Sequence, residues 1–336
     1  MPARANDRRR ERTLELSVGK RRGLAACSTK RGVFSILALD HRNNLRRVMN
    51  PDHPDQVSAK SMGDFKSTLI REVSPFASAA LLDPEFGAAQ SIQSDSLPGD
   101  IGLVISVEAT GYTGDPDARE SRILPGWSVG KIRRMGATAL KLLVYYHPDS
   151  ELAGQQEALV ESVAESCKKY DLAFFIEPLA YSLDPGKKLN SIEKRDIVVR
   201  TADKLTHLGV DVLKAEFPLE IKEDENETHW AEACREVSQA SSVPWVLLSA
   251  GVDFDTYIGQ LTIACQSGAS GAMAGRAVWK EAVGKQGEDL LGFLRGKASD
   301  RMNRLTNLCD AIGKSWKDFY SEQSVDDTWY QSYQDL

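Results

Sequence analysis

The apolar residues of this chain fall into short runs of strand length, and segments long enough for helices separate most of them. Eight such runs follow residue 32, and each is rich in Val, Ile, Leu, Phe or Ala. They span residues 33–40, 78–87, 101–108, 137–146, 172–180, 210–218, 244–251 and 269–279. Runs that are almost continuously apolar predict strands buried on both faces, as in parallel sheets.

Helical segments lie between most of these runs. We predict helices over residues 58–73, 128–135, 155–170, 191–208, 229–241 and 254–267, and little room for a long helix between the second and third runs. Eight strands that alternate with helices over roughly 250 residues predict a (β/α)8 TIM barrel. A doubly wound open sheet is the alternative, but the glycine-rich GxGxxG turn typical of that fold is missing from the sequence.

Both ends of the chain extend beyond the predicted barrel. Residues 1–32 contain ten Lys or Arg and three Asp or Glu, and we expect residues 1–16 to be a disordered basic extension. Residues 17–28 could form a short helix that covers one end of the barrel. We expect residues 17–336 to form one domain, with C-terminal helices outside the barrel. The aromatic and acidic end, residues 326–336, could serve as a contact in a homo-oligomer.

Composition excludes several classes of protein. A formal net charge of −6 gives no overall attraction to nucleic acid or membranes, and no apolar run approaches the roughly 18 residues of a membrane span. The five cysteines are scattered without CxxC spacing, which is typical of reduced thiols in a cytoplasmic protein. The five histidines show no metal-binding spacing, so we expect no metal and no other cofactor.

A polar or charged residue stands at or near the end of every predicted strand, which is where TIM barrels carry their chemistry. A barrel held together by packing alone would not need this. In chain order these residues are Asp40, His41 and Arg42; Asp83 and Glu85; Glu108; Lys141; Glu177; Lys214; Ser249 to Gly251; and Gly275 and Arg276.

Lys214 is the residue around which we organise the predicted site. A lysine within a buried strand must be paired or held neutral, and a neutral amine is a nucleophile toward carbonyl groups. Alternate strands of a barrel fill the same layer, so Lys141 and Lys214 are expected to lie close together, with Glu177 between them. We interpret Lys214 as an imine-forming lysine and Glu177 as its acid/base partner. A purely structural Lys–Glu–Lys network is the alternative.

The last two strands predict an anion site, because loops at these positions usually bind phosphate in this fold. Ser249, Gly251, Gly275 and Arg276 offer a hydroxyl, backbone N–H groups and a guanidinium. Packing needs alone would explain the glycines but not the arginine. We expect a second anion, at the far end of the substrate, to meet Arg42 and His41 on the opposite rim of the barrel.

Seven short segments together resemble the class I tagatose-1,6-bisphosphate aldolase family and the related sulfofructose-phosphate aldolases. The resemblance extends from about residue 20 to residue 320, a span that includes all eight predicted strands. Its segments are LDHR (39–42), LDPE (82–85), LKLLVYY (140–146), IEP (176–178), VLKAE (212–216), LSAGV (248–252) and AGRAVW (274–279).

The resemblance implies a TIM barrel, Schiff-base chemistry without a metal, and a small sugar phosphate as substrate. It implies that Lys214 forms the imine, Glu177 is the acid/base residue, Lys141 is a second active-site lysine, Asp40 is the first-strand aspartate, and Ser249, Gly251, Gly275 and Arg276 bind phosphate. His41 stands where the family usually has glutamine. The implied reaction cleaves tagatose 1,6-bisphosphate to dihydroxyacetone phosphate and glyceraldehyde 3-phosphate. The alternative substrate is 6-deoxy-6-sulfofructose 1-phosphate, which would give sulfolactaldehyde.

Three other functions stay open at this point. A metal-dependent aldolase would need clustered histidines, which the sequence does not offer. A deoxyribose-phosphate-type aldolase shares the lysine of the sixth strand, but its flanking residues differ and this chain is much longer. A regulator that senses sugar phosphates could have kept the site and lost turnover, but the intact pair of lysines with Glu177 argues against it.

Overall fold

The computed structural model describes residues 14–322 and 324–333, and parallel strands form a closed barrel at its centre. Each strand pairs with the next in sequence, and the last pairs with the first, so the predicted TIM barrel is confirmed. In this part of the chain the strands are β1 (Phe34–Leu39), β2 (Ala79–Leu82), β3 (Gly102–Ser106), β4 (Ala139–Tyr145), β5 (Ala173–Leu179), β6 (Val212–Ala215), β7 (Trp245–Leu248) and β8 (Gly271–Ala274).

Helices surround the outside of the barrel. They are α1 (Val18–Cys27), α2 (Asn43–Met49), α3 (Ala59–Val73), α4 (Ala88–Gln93), α5 (Val129–Arg134), α6 (Ala153–Lys169), α7 (Ser191–Leu205), α8 (Glu227–Ala240), α9 (Phe254–Gln266), α10 (Arg276–Trp279), α11 (Gly287–Phe293) and α12 (Ser299–Ile312). Only the six-residue α4 lies between β2 and β3, as the sequence predicted.

Polar residues at the helix N-termini explain where several helices begin. The side chain of Ser58 accepts a hydrogen bond from the backbone N–H of Ser61 at 3.0 Å, which starts α3. Asn190 and Glu193 form a capping box at α7, in which each side chain accepts from the backbone N–H of the other residue. Such caps satisfy N–H groups that have no partner within the helix.

Side chains alternate between two buried cores along each strand, which is why the strands are almost continuously apolar. On β1, Ile36 and Ala38 point into the barrel, whereas Leu37 and Leu39 pack against the surrounding helices. Successive side chains of a strand face opposite sides, so burial on both sides requires apolar residues at every position.

Helix α1 closes the N-terminal end of the barrel. Leu24 is fully buried and joins the apolar cluster inside the barrel, together with Trp316 and Tyr320 from the C-terminal segment. Lys20 lies 2.9 Å from Asp211, so the charges at this closed end are paired. The expectation that this helix covers one end of the barrel is therefore confirmed.

The predictions for the chain ends are tested in part only. Residues 1–13 lie outside the described residues, so the basic disordered extension and the division into domains stay predictions. Leu14 forms a parallel bridge with Tyr320, and Leu16 is buried, so contacts with the barrel begin there. Trp329 and Tyr330 are exposed, and their use as an oligomer contact stays a prediction. No helix in the described part of the chain is both long and apolar enough to cross a membrane.

Closure of the barrel depends on a glycine at the junction of β8 and β1. Gly271 has a φ of +127°, and a Cβ atom there would lie 1.9 Å from the backbone oxygen of Phe34. We expect Gly271→Ala to lower the free energy of unfolding by roughly 3 kcal/mol or more, because both the backbone and the strand pairing must shift. Urea denaturation measures the change. Gly292→Ala is the matched control, since open space surrounds that helical glycine. An equal effect of both substitutions would contradict this account.

Candidate active site

A cavity of about 290 Å³ opens at the C-terminal ends of the strands. Most of the predicted site residues line it, so the barrel brings together side chains that are far apart in sequence. These are Asp40, His41, Arg42, Glu177, Lys214, Ser249, Gly275 and Arg276. Two predicted site residues do not line the cavity. Lys141 is fully buried beneath the residues that do, and Gly251 lies against the guanidinium of Arg276.

The two-residue period of the strands explains why these side chains meet. The apolar side chains inside the barrel form a layer, and two residues further along each strand the inward position is polar or charged. Ala38 is followed in this way by Asp40, Ala139 by Lys141, Phe175 by Glu177 and Val212 by Lys214. A charged layer therefore lies directly above the apolar one.

Three carboxylates from three strand ends surround the ammonium group of Lys141. Its Nζ lies 2.6 Å from Asp40 Oδ2, 2.7 Å from Glu108 Oε1 and 2.9 Å from Glu177 Oε2. Burial alone would lower the pKa of Lys141, but the carboxylates of Asp40, Glu108 and Glu177 outweigh it and raise that pKa well above its ordinary value. Lys141 is therefore a permanent cation and a poor nucleophile.

Lys214 has a different environment, although it shares a partner with Lys141. Its Nζ lies 2.7 Å from Oε1 of Glu177 and faces the cavity. Burial alone would raise the pKa of Glu177, but Lys141 and Lys214 outweigh it and lower that pKa, so Glu177 is ionised at neutral pH. The predicted Lys–Glu–Lys arrangement is present, and within it Lys214 is the lysine that a substrate can reach.

Asp40 and His41 form the wall that follows β1. Burial alone would raise the pKa of Asp40, but Lys141 and Lys214 outweigh it and hold that pKa below its usual range. Burial lowers the pKa of His41 to about 4, although Asp40 opposes this, so the imidazole is neutral at pH 7. Its ring packs edge-on against Trp279 at 5.2 Å between centroids. His41 thus offers a neutral hydrogen-bonding group to the cavity.

The predicted anion site lies at the ends of β7 and β8. The hydroxyl of Ser249 accepts a hydrogen bond from the backbone N–H of Gly275 at 3.2 Å, which holds the two strand ends together. Ala250 and Gly251 both have positive φ, +43° and +84°, and a Cβ atom on Gly251 would lie 2.8 Å from Cζ of Arg276. A strained turn of this kind is common at ligand sites, and here it makes room for the guanidinium.

Arg42 follows β1, which pairs with β8, so its loop begins beside the anion site. Its side chain extends away from that side to groups that follow β2 and β3, and β3 lies across the barrel from β7. The guanidinium of Arg42 is buried and donates to Glu85 Oε2 and to the backbone oxygen of Glu108, both at 2.8 Å. Its charge is already matched by carboxylates, and whether it binds substrate stays a prediction.

Sequence reasoning gave no role to two residues that organise this site. The sequence indicates Glu108 only as a polar strand end, but in the structure it contacts Lys141 and also accepts from the backbone N–H of Leu143 at 3.1 Å. Lys66 of α3 was missed entirely, and it is fully buried against Asp83 while donating to the backbone oxygen of Leu39 at 2.9 Å.

A sequence signal for Lys66 did exist. The residue lies four positions after Met62 and three before Leu69, so it falls on the apolar stripe of α3. A lysine on such a stripe must find a buried carboxylate, and Asp83 at the end of β2 was available. Across the described residues, no group of three or more His, Cys, Asp or Glu side chains is arranged to hold a metal ion.

Comparison with known proteins assigns the chain to a family. A family model described as DeoC/LacD family aldolase matches residues 34–281. The chain belongs to this family of aldolases. It is therefore an aldehyde-lyase, as the sequence predicted.

Relatives named as tagatose 1,6-diphosphate aldolases match this aldolase over most of its length. It is 30% identical over 327 residues to tagatose 1,6-diphosphate aldolase 1 of Streptococcus mutans, a match that covers 91% of this chain and 100% of the relative. It is 31% identical over 331 residues to tagatose 1,6-diphosphate aldolase of Listeria monocytogenes, with coverage of 90% and 95%.

Solved structures resemble the aldolase in fold. An archaeal fructose 1,6-bisphosphate aldolase superposes with a TM-score of 0.58 at 19% identity, over 86% of this chain and 98% of the other. Fructose-bisphosphate aldolase from Slackia heliotrinireducens gives a TM-score of 0.59 at 13% identity, over 89% and 94%. At these identities the likeness supports the barrel architecture.

The partly buried environment of His41 leads to a prediction about its ionisation. We expect its imidazole to titrate with a pKa of about 4 and to stay neutral at pH 6, because burial disfavours the cation. Nitrogen-15 NMR of labelled histidine side chains, assigned by comparison with His41→Gln, measures this. A resonance for His41 that titrates above pH 6 would contradict the described environment.

Proposed function

We propose that this aldolase is a class I, Schiff-base-forming enzyme that reversibly cleaves a ketohexose 1-phosphate into dihydroxyacetone phosphate and an aldehyde. The observation that carries the proposal is the unequal environment of two lysines that share Glu177. Three carboxylates hold Lys141 as a cation, whereas Lys214 forms an ion pair with one carboxylate among the described residues, Glu177, and faces the cavity. A nucleophilic amine needs this second kind of environment.

The first half of the mechanism forms the imine. Glu177 accepts a proton from Lys214 across the 2.7 Å contact, and the neutral amine attacks the C2 carbonyl of the sugar. Glu177 then returns the proton to the carbinolamine hydroxyl, which leaves as water and gives a protonated imine. Lys141 stabilises the ionised form of Glu177 before the first transfer and after the second.

The second half breaks the carbon–carbon bond. The protonated imine draws the electron pair of the C3–C4 bond, while Asp40 or Glu177 takes the proton of the C4 hydroxyl, and the aldehyde leaves. The resulting enamine is protonated at C3, and water hydrolyses the imine to release dihydroxyacetone phosphate. Ser249, Gly251, Gly275 and Arg276 would hold the 1-phosphate during these steps, since they form the anion site described above.

Tagatose 1,6-bisphosphate is the substrate we propose first, giving glyceraldehyde 3-phosphate as the aldehyde. The names of the streptococcal and listerial relatives support it. A second candidate is 6-deoxy-6-sulfofructose 1-phosphate, which would give sulfolactaldehyde. One observation favours it: the cations among the described residues that line the cavity are Arg42, Lys214 and Arg276, and Arg42 is already paired with Glu85. Sulfonate carries less charge than phosphate near pH 7 and needs fewer cations.

We also propose a cytoplasmic location. All five cysteines are free and buried, and free thiols are typical of reducing compartments. The substrate is a small molecule under this proposal, and nothing in the mechanism requires a cofactor or a second protein.

Covalent trapping tests the imine. We expect borohydride with dihydroxyacetone phosphate to inactivate the enzyme and to add the mass of dihydroxyacetone phosphate less one oxygen atom, located on Lys214 by peptide mass spectrometry. Lys214→Arg keeps a cation beside Glu177 but cannot form an imine, so it should give no adduct. Labelling of Lys141 would reverse the assignment of the nucleophile, and the absence of any adduct on the unmodified enzyme would exclude the Schiff-base mechanism.

Initial rates with three substrates test the sugar. We expect tagatose 1,6-bisphosphate to give a higher kcat/KM than fructose 1,6-bisphosphate and 6-deoxy-6-sulfofructose 1-phosphate, measured as released dihydroxyacetone phosphate. The margin over the sulfosugar should be about tenfold or less, because Arg42 is shared with carboxylates and the other cavity cations serve the imine and the 1-phosphate. A kcat/KM more than tenfold higher for the sulfosugar would replace the first candidate with the second.

A further inference from the structure

The rim opposite the anion site is built by a short hairpin that the mechanism above does not use. In a closed barrel of eight strands β4 lies diametrically across from β8, so the end of β4 faces Arg276 across the cavity. A ketohexose held by its 1-phosphate beside Arg276 must place its sixth carbon toward another part of the rim. The groups at the end of β4 are therefore candidates to contact it.

The hairpin follows β3 and spans residues 109–122. Backbone hydrogen bonds between Thr113 and Glu120, at 3.0 and 2.8 Å, hold its two arms together. The backbone N–H of Tyr145, the last residue of β4, donates to the hydroxyl of Ser121 at 2.9 Å. Thr110 and Gly111 of the hairpin line the cavity. The hairpin is thus attached to the strand end that it covers.

Tyr145 occupies the inward position of β4 two residues beyond Leu143 and four beyond Lys141. Its side chain lines the cavity, and the described residues include no hydrogen-bond partner for its hydroxyl. The ring is held edge-on by Tyr112 of the hairpin, with 5.0 Å between the centroids. A fixed ring with a free hydroxyl at a cavity wall is suited to hydrogen bonding with a ligand.

Arg119 of the same hairpin places a cation beside the ring of Tyr145. Its guanidinium carbon lies 4.7 Å from the ring centroid of Tyr112, 5.5 Å from that of Tyr145 and 4.8 Å from that of Tyr181. Its Nε donates to the backbone oxygen of Pro116 at 2.9 Å, and the part of the chain that is described shows no ion pair for it. Arg42, in contrast, is matched by Glu85.

We propose that Tyr145 and Arg119 form a subsite for a tetrahedral oxyanion, phosphate or sulfonate, at the sixth carbon of the substrate. This inference rests on the proposed aldolase function and assigns its far-end recognition to the hairpin instead of to Arg42. The tyrosine rings fix the guanidinium through cation–π contacts, and its terminal nitrogens and the tyrosine hydroxyl supply donors for an anion. One cation with a neutral donor can accept either oxyanion.

Condensation assays test the subsite with dihydroxyacetone phosphate and one of three aldehydes. Glyceraldehyde 3-phosphate and sulfolactaldehyde carry the oxyanion, and glyceraldehyde does not. We expect Arg119→Met and Tyr145→Phe each to lower the ratio of kcat/KM for a charged aldehyde to that for glyceraldehyde by roughly tenfold or more, because a charge-assisted contact is lost. Arg122→Met, which removes an exposed arginine from the same hairpin, should keep the ratio of the unmodified enzyme.

The outcomes separate this inference from the proposed function. A lower ratio with both charged aldehydes supports an oxyanion subsite, and a lower ratio with one of them identifies phosphate or sulfonate as its ligand. An unchanged ratio in both variants, with Lys214 still trapped by borohydride, overturns the subsite and leaves the aldolase mechanism intact. If Arg119→Met does not fold, the conservative Tyr145→Phe decides alone. Failure to trap Lys214 in the unmodified enzyme removes the proposed function, and the inference with it.

Discussion

The site depends on the neutralisation of one buried ammonium group. Lys141 is fully buried, and an isolated charge there would cost several kcal/mol or more. The ends of β1, β3 and β5 each supply a carboxylate to it, so the cost is offset only when these strands hold a common register. The same contacts fix Asp40 and Glu177 as ionised groups beside Lys214. A structural requirement of the barrel thus orients the groups to which we assign the chemistry.

Further buried charges connect neighbouring strand ends in the same way. Arg42 links the ends of β2 and β3 through Glu85 and Glu108, and Lys66 ties the end of β1 to Asp83 at the end of β2. Breaking one member of such a pair leaves an uncompensated charge, which is far more costly than the pair is favourable. The rim from β1 to β6 therefore behaves as one connected unit, whereas the anion site at β7 and β8 is held by the hydrogen bond from the backbone N–H of Gly275 to the hydroxyl of Ser249.

Much of this arrangement could be predicted because it follows from two local rules. The two-residue period of a strand decides which side chains point inward, and the order of strands in a closed barrel decides which of them are neighbours. These rules were sufficient to place Lys141, Glu177 and Lys214 together. They were insufficient for Arg42 and Lys66, whose long side chains reach partners across loops. Closure places β1 next to β8, but the side chain of Arg42 extends from there to the ends of β2 and β3. Neither rule predicts the position of the hairpin that carries Arg119, because that hairpin follows the end of β3.

The N-terminal end of the barrel is closed by α1, Trp316 and Tyr320. In the described part of the chain, the cavity that contains Lys214 opens at the other end, so sugar, water and both products would pass through that opening. Under the proposed mechanism the ligands must therefore enter and leave in a fixed order. The aldehyde leaves while the three-carbon fragment is still bound to Lys214, and the water that hydrolyses the imine then enters the space that the aldehyde occupied. The hairpin, whose residues Thr110 and Gly111 line the cavity, therefore bears on the exit of products as well as on the choice of substrate.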